Sequence, residues 1–241
     1  MAFCEDRVLK VLADKDALYN ADGNTNVVAT NRVLGTARPF SGDYGISKNP
    51  ESFASDSYRS YFSDTSRGAV LRLSQDGITP ISDAGMKDWF SDNLPKYTQS
   101  GAKIIGSFDD KKQEYNITLN ADRVGNVIKS KTLSYNEGSK GWVSFKSFIL
   151  ESGVSLNNSY YTFKLGKLYE HHANELRNNF YFDLSNTAVP TTQFDSSVDV
   201  LLNESPSIIK SFSTLNYEGS QSRVTQDILT NSDYYDNIPK D

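Results

Sequence analysis

Apolar and polar positions alternate most clearly between residues 58 and 82. Tyr58, Ser60 and Phe62 interleave with Arg59, Tyr61 and Ser63, the period-two spacing of a half-buried strand. Asp64-Thr65-Ser66-Arg67-Gly68 supplies turn chemistry, Ala69–Leu73 a returning strand rich in branched residues, and Gln75-Asp76-Gly77 a second tight turn. Ile78–Ile81 follows, with Pro80 marking an edge or a strand end. The stretch predicts a three-stranded β-meander.

Much of the chain repeats that layout. Residues 5–30 read as strand, Asp-Lys-Asp turn, short strand, Asp-Gly turn, strand, with a short helix over 6–13 as the alternative. Residues 35–52, with three Gly and two Pro, read as an irregular connector. Ser82 is placed to cap a helix starting near Asp83, with Met86, Trp89, Phe90 and Leu94 at helical spacing and Pro95 as its stop. Hairpins are expected at 103–108 with 114–119, and at 127–136 with 141–148 about a turn at 137–140. Residues 154–172 predict three strands with turns at Asn157-Asn158 and Leu165-Gly166, and 197–219 predict two strands about a Glu204-Ser205-Pro206 corner. The expected fold is therefore mainly β, with meander or β-propeller-like blades recurring every 40 to 50 residues or so and one short helix near 83–94. An open stack of hairpins or a sandwich with insertions fits the same string. One β-rich domain over 1–225 and a polar, loosely held tail over 226–241 complete the expected organisation.

Composition narrows the function classes. With 25 basic and 30 acidic residues the chain has no electrostatic footprint for nucleic acid or an anionic membrane. Cys4 is its one cysteine, so no intrachain disulfide forms and a reducing site of assembly is expected. No run of 18 apolar residues and no basic-then-apolar start occur, which predicts a soluble protein without membrane insertion.

Chemistry is hard to find. His171 and His172 are the only histidines. Neighbours in a strand point to opposite faces, so at most one could ligate a metal with Glu175, and a solvent-facing strand end is the plainer reading. Cys4 has no nearby histidine to form a thiolate pair. Asn20–Asn26 looks superficially like a calcium loop, but its Gly sits at the wrong offset and no bidentate Glu follows. No nucleophile elbow, phosphate loop or zinc-protease motif occurs, and the Asn-x-Ser/Thr triplets at Asn116, Asn157 and Asn203 are what chance gives at this Asn and Ser content. The reading is a protein that is not an enzyme and uses no cofactor or metal. Fourteen Tyr and thirteen Phe instead offer stiff rings for interfaces or for stacking on sugars. Tyr58, Tyr61, Phe62, Tyr160, Tyr161 and Phe163 are the interface candidates, although packing within a core accounts for the same rings.

Three strings carry a resemblance: YRSYFSDTSRGAVLRLSQDGITPISDAGMKDWFSDNL, KGWVSFKSFILESGVSLNNSYYTFKLGKLYEHH and KSFSTLNYEGSQ. They resemble segments of a family of very large virion structural proteins, associated with the tail or baseplate of contractile-tailed phages of marine cyanobacteria. The resemblance spans most of residues 3–225. It implies a virion component of the tail, baseplate or an attached fibre, assembled in the host cytoplasm, whose partners are other tail proteins and further copies of itself. Family members are much longer, so the chain is expected to correspond to a portion of one or to a separately encoded piece. No catalytic residue is implied. The alternative from another class is a carbohydrate-binding adhesin module whose partner is a host surface glycan.

Overall fold

A computed structural model describes residues 1–20, 22–121, 128–173, 178–181, 194, 196–198, 205–211, 213–214, 221–225 and 234–239. The chain divides into two units, Met1–Ser196 and Ser197–Asp241. The first holds β1 (Ala2–Phe3), β2 (Val8–Tyr19), β3 (Thr25–Pro39), β4 (Ala54–Ser55), β5 (Ser60–Asp64), β6 (Ala69–Ser74) and β7 (Gly77–Pro80). Next come a helix α1 (Lys87–Gln99), then β8 (Lys103–Asp109), β9 (Glu114–Asn120), β10 (Lys131–Asn136), β11 (Gly141–Lys146), β12 (Ser152–Leu156), β13 (Ser159–Lys164) and β14 (Lys167–Glu170). They form four antiparallel sheets, ordered β1-β2-β3, β4-β5-β6-β7, β11-β10-β9-β8 and β12-β13-β14. The fold is mainly β.

In each sheet consecutive strands pair antiparallel, and short turns join most of those in the first unit. Asn157 and Asn158 take φ of 51° and 62°, and Leu165 and Gly166 take 51° and 74°. Two successive positive angles in a two-residue loop make the hairpin turn that matches strand twist. Gly77 has φ 105° directly after the Gln75-Asp76 loop, as the Asp-Gly pair predicts.

The sheets pack face to face. Alternation along β5 and β6 sends Tyr61 and Val70 to one side, where they meet Phe90, Leu94, Ile104, Phe108, Tyr115 and Ile117. Phe62, Leu71 and Leu73 point the other way, onto Val8 and Ile46. The second four-stranded sheet lies between the first and the β12-β13-β14 sheet, and its far face meets Phe148, Leu150 and Tyr160 through Ile105. Glu137 ties the two four-stranded sheets together, accepting from Tyr61 OH at 2.9 Å and Arg72 Nη1 at 3.0 Å. These meanders are blade-like, but among the described residues they do not close into a propeller or a barrel.

Three local expectations are corrected. The helix begins at Lys87, because Ile81–Asp83 form a 3-10 turn and Gly85 at φ 79° breaks the path, and it runs through Pro95 to Gln99. Interior proline costs about 3 kcal/mol. Phe90, Leu94 and Tyr97 are buried on both sides of it, and Tyr97 OH donates to the Lys129 carbonyl, which offsets that cost. Second, β2 is one strand through Asp14-Lys15-Asp16: Asp14 takes φ 52° and the register shifts there, so the backbone bulges instead of reversing. Third, β3 extends to Pro39, into the expected connector.

The second unit contains β15 (Gln221–Thr225) and β16 (Tyr234–Pro239), paired antiparallel. The division after Ser196 falls inside the span expected to be a single domain, and the expected tail contributes β16. Of the strand pair expected at 197–219, residues 199–204, 212 and 215–219 lie outside the described residues, and the described ones, 205–211 among them, form turns and irregular backbone and no strand. Among the described residues no helix is long and apolar enough to cross a membrane.

Candidate interaction surface

The β12-β13-β14 sheet ends the face-to-face series of the first unit, and its two faces differ. Register sets Val154, Tyr161 and Glu170 in one row, Ser152, Phe163 and Leu168 in the next, and Leu156 opposite Ser159. These side chains share the outer face, since strand residues two apart point the same way. Leu156 is 69%, Leu168 57%, Val154 52% and Phe163 41% exposed, with Tyr161 half-buried. Beside them, Leu165 stands exposed at the turn. A cluster of large apolar side chains on one solvent-facing sheet face is how binding surfaces are built.

The inner face holds this surface rigid. Tyr160 is buried, and its hydroxyl is 2.7 Å from Ser107 Oγ on β8. Ser155 Oγ donates to the Phe108 carbonyl at 2.7 Å and accepts from Asp110 N–H at 3.0 Å. A Cβ on Gly153 would lie 2.9 Å from Ser107 Cβ, so the two sheets touch there at backbone distance. The facing side of β8–β10 is polar: Thr118 and Thr132 share a 2.8 Å hydrogen bond, Thr132 donates to the Phe148 carbonyl at 2.7 Å, and Ser134 donates to Asn116 Oδ1. Each of these hydroxyls is partnered, as burial requires.

The histidines belong to the same packing. His171 is buried against Phe148 and Tyr160, with Nε2 2.7 Å from Thr162 Oγ1. Desolvation, helped by the neighbouring His172, pushes its pKa down to about 4, so it is neutral near pH 7. His172, turned by its φ of 61°, places Nε2 2.7 Å from Asp109 Oδ2. Asp109 also accepts from the amides of Lys111 and Lys112. Glu175 lies outside the described residues. Among the described residues no three His, Cys, Asp or Glu side chains converge as a metal site would need. Cys4 is exposed, and the β2–β3 hairpin is closed by Asn20 N–H on the Asn24 carbonyl and Gly23 N–H on the Asn20 carbonyl. Asn116 is buried in the polar face, while Asn157 sits on an exposed turn.

Half of the aromatic candidates are removed from the surface. Tyr61 stacks between Phe108 and Tyr115 at 5.5 and 4.9 Å, and burial together with Glu137 raises its phenol far above the ordinary value. Phe62 fills the opposite core beside Phe3, and Tyr160 faces inward. The reason is shared: both faces of β5 are covered, and β13 turns Tyr160 toward β8, so none of these rings reaches solvent. Tyr58 stays 82% exposed, just before β5, and Tyr161 and Phe163 lie on the outer face described above. Val154, Leu156 and Leu168 were missed by sequence reasoning, though reading β12 and β14 with the parity of Tyr161 finds them.

A cleft of about 460 Å³ opens between residues 42–44, the β5–β6 turn and the start of α1. Its lining mixes the cations Arg67 and Lys87 with the carboxylates Asp43, Asp83 and Asp88. Arg67 is already committed, 2.9 Å from the fully buried Asp64 carboxylate. That carboxylate also takes Ser47 Oγ at 2.8 Å and Gly45 N–H at 3.1 Å, which makes it a corner brace. Compared with protein-family models and with curated proteins, the chain finds no match.

Proposed function

We propose that this chain is a non-catalytic assembly module that works through exposed β surface, as a structural component of a phage tail, baseplate or attached fibre. The observation that carries the assembly reading is the apolar outer face of β12-β13-β14, with Tyr161 and Phe163 in register beside Val154 and Leu168 on a rigid, hydrogen-bonded backing. Aromatic and large aliphatic side chains held in fixed rotamers lose little entropy on docking. The resemblance of the three strings supports the virion setting, with other tail proteins and further copies of the chain as partners. A second reading, a carbohydrate-binding adhesin, draws on the Glu170 carboxylate in the same row as the Tyr161 ring, since sugars combine ring stacking with hydroxyl hydrogen bonds.

The test replaces Tyr161 and Phe163 together with Ser. The variant is expected to keep the wild-type melting temperature and to be incorporated poorly into virions. Undiminished incorporation overturns the assembly role of this face. Loss of binding to host glycans without loss of incorporation selects the adhesin. Glycan cleavage by the purified chain, stopped by one carboxylate or histidine substitution that leaves it folded, overturns the non-catalytic reading.

A further inference from the structure

We propose that two copies of this chain pair through the outer edge of β3, antiparallel and centred on Val28, so that two β2–β3 ribbons merge into one four-stranded sheet. The proposal names a partner for the assembly module above and rests on that reading.

Beyond Leu12 the ribbon is only two strands wide, because β1 covers β2 at Leu9 and Val8 alone. It is bent. Between the pairs Ala13↔Leu34 and Lys15↔Ala29, β2 advances two residues and β3 five. The bend brings Arg38 Nη2 to 3.0 Å from Tyr19 OH, although those residues pair at opposite ends of the ribbon. Gly35 permits it, since a Cβ there would lie 1.8 Å from the Lys15 carbonyl oxygen. The distal third of β3, Thr25 to Ala29, is left exposed throughout. Val27 and Val28 stand in solvent beside Leu18 and Tyr19 of β2. An isolated two-stranded ribbon is marginal in water, and a bare, flat edge is a template for another strand.

Ladder geometry says which groups that edge offers. Asn20 N–H donates to the Asn24 carbonyl at 2.9 Å, which makes 20/24 a hydrogen-bonded pair. Bonded and non-bonded pairs alternate, so the pairs Tyr19↔Thr25, Ala17↔Val27 and Lys15↔Ala29 are non-bonded within the ribbon. Thr25, Val27 and Ala29 therefore aim their N–H and C=O outward, and what satisfies such a row is an extended strand.

The sequence favours a second copy as that strand. Residues 24–31 carry no charge. Folded about Val28, the straight part of β3 sets Val27 against Ala29 of the other copy, apolar with apolar, and each copy turns away at the bulge that follows Ala29. In this register Val27 and Ala29 exchange both backbone hydrogen bonds. A contact of a few strand residues per copy is small beside the roughly 800 Å² per partner of a stable dimer, so the pairing is expected to depend on concentration and to be reinforced by other contacts in an assembly.

Disulfide trapping reads the register directly. In a Cys4→Ser background, Val28→Cys places two thiols at a non-hydrogen-bonded pair, where Cα atoms lie about 4.5 Å apart, within disulfide range. Asn26→Cys places its thiols four residues out of register, roughly 13 Å apart at about 3.3 Å per residue. Mild oxidation is expected to convert the Val28→Cys chain to covalent dimer at least tenfold faster than the Asn26→Cys chain. Adding Val27→Pro, which deletes an outward N–H and spares the β2–β3 ladder, is expected to abolish that difference. Equal trapping rates, or trapping unaffected by the proline, overturn the pairing. If trapping fails while the Tyr161 and Phe163 variant still loses incorporation, the pairing is wrong and the assembly reading stands.

Discussion

Replacing Tyr160 and Tyr161 one at a time tests the placement on which the interaction surface depends. The two tyrosines are neighbours on β13, yet one is buried and the other half in solvent. Tyr160→Ser removes a ring packed on Phe148 and His171 and leaves a void between β8 and β13. Truncating a buried aromatic costs about 3–5 kcal/mol. Losing the hydroxyl partner of Ser107 adds to that, because an orphaned buried polar group costs about 1–3 kcal/mol. Against the roughly 5–15 kcal/mol that holds a domain together, this is a large fraction. At about 2–4 °C per kcal/mol for a unit of this size, the melting midpoint should fall by roughly 8–32 °C. Tyr161→Ser, made on the solvent face, should move it by about 2 °C or less. Tyr160→Phe isolates the hydroxyl: in a cycle with Ser107→Ala, the double variant should be about 1 kcal/mol more stable than the singles add up to. Thermal and urea denaturation followed by near-ultraviolet circular dichroism provide the midpoints. Equal shifts for Tyr160→Ser and Tyr161→Ser refute the reasoning, because a strand slipped by one residue exchanges its two faces.

Gly106→Ala should destabilise by more than about 3 kcal/mol, since its Cβ would lie 1.9 Å from the Ser52 carbonyl oxygen that accepts the buried Tyr115 hydroxyl; a urea midpoint within error of wild type would contradict that contact. Gly77→Val should cost about 1–2 kcal/mol from backbone strain alone, because φ is 105° and nothing lies within 4 Å; an unchanged melting temperature would remove the turn from where it is placed. His171 binds a proton in the unfolded chain near its ordinary value of 6.5 but in the folded state only near pH 4, so stability present above pH 6.5 falls as the pH drops toward 4. The loss approaches about 3 kcal/mol, and in His171→Gln the stability difference between pH 7 and pH 4 should shrink accordingly.

Turns and strand periodicity were legible in the sequence because both are local. The loop at Gln75-Asp76-Gly77 and the two turns around β13 follow from side chains that tolerate or require positive φ, whatever packs on them. Period two likewise located β5, and runs of branched and aromatic residues between turns located β6, β8, β9 and β13. It could not say which parity faces inward. Tyr61 and Phe62 are both covered, a state that adjacent apolar residues such as Val70 and Leu71 also signal, whereas Tyr160 and Tyr161 part company because only one face of β13 meets β8. Of the interaction surface, Tyr161 and Phe163 could be named in advance, while Val154, Leu156 and Leu168 needed the register of three strands.

Elsewhere the decision came from contacts between residues far apart in the chain. Pro95 reads as a helix stop, and burial of Leu94 and Tyr97 overrides it. Asp14-Lys15-Asp16 reads as a turn, and the ladder to β3 makes it a bulge within one strand. Glu137 became a bridge only because stacking brought Tyr61 and Arg72 to it. Blade-like meanders were visible as units, but how they associate depends on side chains meeting across sheets and not on neighbours along the strand. Local chemistry determined where this chain extends and where it reverses. Long-range packing alone decided which rings became core and which were left in solvent.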